Sequence, residues 1–81
     1  MSKALAAGAT IGILGGGQLG RMLAVAASRL GFRSHIYDPA PNPPAAEVAH
    51  AVTCAPYDDA AALAAFAAGV EVITYEFENI P

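Results

Sequence analysis

Three groups of residues have the types and spacing that chemistry requires. The first is "LGGGQLGRM", residues 14–22, in which Gly15, Gly16 and Gly17 run together and Gly20 follows. Glycine has no Cβ and tolerates positive φ, so such a backbone can touch a ligand, and a helix starting behind it favours an anion. The spacing Gly15-x-Gly17-x-x-Gly20 fits a dinucleotide fingerprint, and Asp38, 18 residues beyond Gly20, stands near the offset of a ribose-holding carboxylate. Spacing alone therefore leaves open an NAD(P)-binding module of a dehydrogenase or regulatory protein. The proline-dense stretch after Asp38 speaks against it, because it falls where an adenosine would lie. A P-loop is excluded: Arg21 stands where the phosphate-gripping lysine belongs, and Met22 where a hydroxyl must hold Mg²⁺.

With Asp38 and the proline-dense stretch as the second group, the third closes the chain, in "VEVITYEFENIP". On an alternating strand Val70, Val72, Thr74 and Glu76 share one face, and Glu71, Ile73, Tyr75 and Phe77 the other. Glu76 thus ends an apolar row expected to be buried, where a carboxylate is costly unless it is paired or bound to a ligand. Glu78 is expected in solvent, and Asn79 before Ile80-Pro81 also suits a turn. Arg21 reads as a solvated cation, His35 as a packed or edge histidine, His50 as structural and Cys54 as a small buried apolar residue.

These groups need elements to hold them. IGIL (11–14) reads as a strand covered on both faces. Apolar Leu19, Met22, Leu23 and Leu30, with Ala26 filling the stripe, predict a helix from Gln18 to Leu30, stopped by Gly31. FRSHIYD predicts a second strand. Residues 39–50 carry four of the six prolines and predict a loop with one helical turn at 44–49. AVTCA reads as a third strand. Asp58 or Asp59 caps an alanine-rich helix that buries Leu63 and Phe66 and ends at Gly69, and VEVITYEF is the fourth strand. The fold class is α/β: a Rossmann-like open parallel sheet with helices on both faces. Residues 1–9 are expected to be a flexible extension and 10–81 the domain, truncated after its fourth strand and therefore part of a longer chain.

Ligands of such a sheet gather at the carboxyl ends of its strands. That edge would carry backbone donors and carboxylates but almost no cations. With a net charge of −3 and only four lysines and arginines in 81 residues, nothing suits a nucleic-acid backbone. The apolar fraction of 56% argues for an ordered chain, and no run approaches a membrane span. The apolar start is interrupted by Gly8, Thr10 and Gly12 and leads into the glycine loop, so it does not read as a signal peptide. One cysteine excludes an internal disulfide and fits a reducing, cytoplasmic setting.

Taken together, "GILGGGQLGRML", "YDPAPNPPAAEVAH" and "VITYEFENIP" resemble the N-terminal, pre-ATP-grasp domain of the 5-(carboxyamino)imidazole ribonucleotide synthases. Those ATP-grasp enzymes carboxylate aminoimidazole ribonucleotide with ATP and bicarbonate in purine biosynthesis. The formate-dependent glycinamide ribonucleotide transformylases share the layout. Their "VAH" matches His50 better than the aspartate common in the synthases, whereas Gln18 and "EFENIP" side with the synthases.

The resemblance implies a homodimer when full length, with ATP and Mg²⁺ held by later domains. It implies that Gly16, Gly17, Gln18, Leu19, Glu76 and Asn79 bind substrate, Glu76 facing the amino-imidazole end. No catalytic, cofactor or metal residue is expected within these 81, and the piece alone is expected to be inactive.

Overall fold

A computed structural model describes residues 6–75. The elements are β1 (Thr10–Leu14), α1 (Gln18–Arg29), β2 (Arg33–Asp38), a 3-10 turn (Pro44–Glu47), β3 (Ala51–Cys54), α2 (Ala60–Ala68) and β4 (Val72–Tyr75). All neighbouring strands are parallel, in the order β3-β2-β1-β4. The α/β fold with helices on both faces is as the alternation of elements predicts.

α1 and the 3-10 turn cover one face, where Ile13, Ile36, Ala24 and Ala45 are fully buried, with Ile11, Leu23 and Val48 packed around them. α2 covers the other. Its Phe66 lies edge-on to His35 at 4.9 Å and Tyr37 at 5.3 Å, and Tyr37 stacks on Tyr57 at 5.7 Å. Burial, then Asp59 and Asp58, push the Tyr37 phenol up, and its hydroxyl donates to the Pro56 carbonyl. His35 is packed as expected, its Nε2 2.7 Å from Thr53 Oγ1, and burial lowers its pKa.

Local chemistry sets the helix ends. Gly31, at φ +86°, ends α1 in a Schellman motif: Phe32 N–H donates to Ala27 O and Gly31 N–H to Ser28 O. Asp59 is the cap of α2, accepting the Ala62 N–H at 2.9 Å. His50 does unusual work just ahead of β3. Its own N–H donates to Ser34 O, and its Nδ1 accepts the Ser34 N–H at 3.2 Å, adding a side-chain rung to the β2–β3 ladder.

Several expectations are overturned: Cys54, expected buried, is exposed on the edge strand β3, and Leu63 of α2 is only half-buried. Most of the predicted apolar stripe of α1 faces outward: Met22 is 66% and Leu30 73% exposed, and Leu19 and Ala26 are also exposed, while Leu23 alone packs inward. The inner stripe is Gly20, Ala24 and Ala27, small residues that let the helix lie close to the sheet. The row ending at Glu76 also differs. β4 is an edge strand of the described sheet, so Val72 is 42% exposed rather than buried. Val70 precedes the strand, and its side chain meets Gly12 on the α2 face. Glu71 begins the pairing instead, its N–H donating to Thr10 O and its carboxylate accepting the Thr10 N–H at 2.7 Å.

Candidate functional site

The strand order fixes where a ligand can enter. The chain moves from β1 outward to β2 and β3, then crosses back to put β4 on the far side of β1. The carboxyl ends of β1 and β4 thus border the switch-point crevice of an open α/β sheet. Leu14 of β1 is in register with Tyr75 of β4, so the glycine loop leaves the sheet level with the strand that leads into Glu76. Glu76, Glu78 and Asn79 themselves lie outside the described residues.

The loop is tightly made. Gly15, at φ +104°, donates its N–H to Tyr37 O at 2.8 Å. Gly16 donates to Asp38 Oδ2 at 2.7 Å and accepts the Ala45 N–H at 2.8 Å. A Cβ at Gly16 would come within 2.8 Å of Pro43 and 2.9 Å of Ile36. Gly16 is therefore glycine so that the proline-rich segment can close over it, and its polar groups are engaged within the chain. Gly17 is the N-cap of α1, and its carbonyl accepts the Arg21 N–H at 2.9 Å. Gln18 and Leu19 open the helix and are exposed.

Gly17, the N-cap of α1, has no side chain to cap it and no acid lies within the first turn of the helix, whereas α2 carries Asp59. A helix N-terminus carries a partial positive charge that favours oxygen-rich groups. Of the predicted set, the structure brings Gly16, Gly17, Gln18 and Leu19 into one loop.

Asp38 is not available as a ribose ligand. Its Oδ2 takes the Gly16 N–H and its Oδ1 the Ala40 N–H at 2.8 Å. With Pro43 seated on Gly16, the adenosine side of a dinucleotide site is filled by the chain itself. The geometry therefore argues against the NAD(P) alternative. An Asx turn was readable in Asp38-Pro39, but its second contact, 22 residues back, was not.

Described cations are few. Arg21 lies 3.8 Å from Glu47, both well exposed, which is a weak pair. The described residues contain no cluster that could hold a metal ion and no lysine. An open groove of about 620 Å³ runs along outer α1, lined by Met22, Ala26 and Leu30, but it borders neither β1 nor β4.

The fold and loop define a Rossmann-like domain whose glycine loop has been closed to dinucleotides. Residues 8–81 match the ribonucleotide synthetase preATP-grasp domain family, and the chain belongs to it. It is 60% identical over 74 residues to the N5-carboxyaminoimidazole ribonucleotide synthase of Brucella melitensis, covering 91% of this chain and 20% of that protein.

An ADP complex of an N5-carboxyaminoimidazole ribonucleotide synthetase superposes over the whole chain and 22% of its own, with a TM-score of 0.94 and 48% identity. The Aspergillus clavatus synthase, solved with ADP and 5-aminoimidazole ribonucleotide, matches at 35% identity and TM-score 0.76, over 89% of this chain and 20% of that one. The chain spans about a fifth of the length of the synthases it matches. No helix of the described residues is long and apolar enough to cross a membrane.

Proposed function

We propose that this chain forms the substrate-side N-terminal part of an N5-carboxyaminoimidazole ribonucleotide synthase. The observation that carries the reading is the crevice between β1 and β4. It is bordered by the glycine loop and the start of α1 and leads into Glu76, in a chain that belongs to the preATP-grasp family. Backbone donors and carboxylates with few cations suit an amine and ribose hydroxyls better than a triphosphate. Gly17, Gln18, Leu19, Glu76 and Asn79 contact aminoimidazole ribonucleotide, Glu76 at the amino-imidazole end, and Gly16 supports them from behind.

ATP, whose role is to activate bicarbonate, and Mg²⁺ bind outside these residues, as does the substrate phosphate, which needs lysine or arginine. A cytoplasmic homodimer completes the proposal, carried by the resemblance and, for the compartment, by the exposed thiol of Cys54.

Steady-state kinetics of the intact protein test the reading. Glu76→Gln is expected to raise the KM for aminoimidazole ribonucleotide about tenfold, the loss of one charge-assisted hydrogen bond, and to leave the KM for ATP within about twofold. A variant that moves the ATP term instead would sink the assignment.

A further inference from the structure

We propose that Asp38 is a positioning residue for the substrate loop, its carboxylate stapling Gly16 to the start of the segment after β2. The inference rests on the reading above and adds a residue to it. Gly15, Gly16 and Gly17 form the most pliable run the chain can make, yet their followers, Gln18 and Leu19, must meet a small ligand in one place.

Four contacts remove that pliability. Asp38 Oδ2 takes the Gly16 N–H at 2.7 Å, and its Oδ1 takes the Ala40 N–H at 2.8 Å. The Ala45 N–H meets Gly16 O at 2.8 Å, and Pro43 fills the space over the Gly16 Cα. Asp38 thus bonds both the loop after β1 and the loop after β2. The spacing that resembles a ribose-binding carboxylate therefore serves a different end. The carboxylate faces backbone, and the entropy of ordering the loop is met before substrate arrives.

Asp38→Asn tests this in the intact protein, because it replaces an acceptor oxygen with an N–H₂ group at nearly constant shape. Asp59→Ala is the comparison: it removes a helix cap on the opposite face and is purely structural. Amide exchange at Gly16, Gly17 and Gln18 is expected to quicken about tenfold in Asp38→Asn, and not in Asp59→Ala. The KM for aminoimidazole ribonucleotide is expected to rise about tenfold in Asp38→Asn, with the KM for ATP unchanged.

Wild-type exchange in the loop, or a KM for aminoimidazole ribonucleotide that stays put while Glu76→Gln raises it, overturns the positioning role and leaves the functional reading standing. A wild-type protein that does not turn over aminoimidazole ribonucleotide overturns both.

Discussion

The two faces of the sheet solve the same packing problem from opposite sides. On the α1 face the helix gives way: Gly20, Ala24 and Ala27 present almost no side chain, and Ile13 and Ile36 supply the bulk from the strands. On the α2 face the sheet gives way. Gly12 leaves a gap in β1, and the Phe66 ring fills it, its Cζ lying 2.8 Å from where a Cβ would be. A helix with several small contacts is held along its length, whereas α2, with one buried residue, is held at a point. The helix held along its length is the one that begins in the glycine loop, where a shift of its start would move Gln18 and Leu19. Accuracy is placed where the proposed substrate is, and economy where it is not.

That contrast can be broken on either face. Phe66→Ala should have the largest effect, about 3–5 kcal/mol, enough to leave a chain of this size largely unfolded in urea titrations. Gly12→Ala should cost less in a Phe66→Leu background than alone, and equal costs would show that the ring and the gap are not matched. Ala24→Leu should cost about 1–3 kcal/mol by overpacking, read from the urea midpoint; a neutral result would mean that α1 is not closely seated.

The smallest effect concerns His35, which packs against Phe66. Burial lowers its pKa below the ordinary histidine value, so the fold favours the neutral ring. Its contribution is therefore present above about pH 6.5 and is lost as the pH falls through the lowered folded value. Between pH 7.5 and 5.5 the melting temperature should fall more steeply in the wild type than in His35→Gln. Parallel slopes would remove His35 from the account.

How far the sequence revealed this depended on distance along the chain. Gly31 as a stop, Asp59 as a cap and the strand at Ile11–Leu14 are local devices whose cause and effect lie within a few residues. The inner face of α1 was hidden because glycine and alanine carry little hydrophobic signal, and the larger Met22 and Leu30 claimed the stripe. Val70 was misplaced because the start of β4 is decided by Thr10, 61 residues from Glu71. Asp38 was singled out by its spacing, but spacing cannot tell whether a carboxylate meets a ribose or a backbone N–H.

The rung made by His50 bears on the position where this chain departs from the synthases it resembles. What Ser34 requires there is a lone pair at the δ position of the side chain, two bonds beyond Cβ. Aspartate carries an oxygen at the same reach, and histidine, with its proton on Nε2, carries a nitrogen. The two residues differ in charge and volume, but an aspartate in this place would offer the Ser34 N–H an acceptor at the same reach.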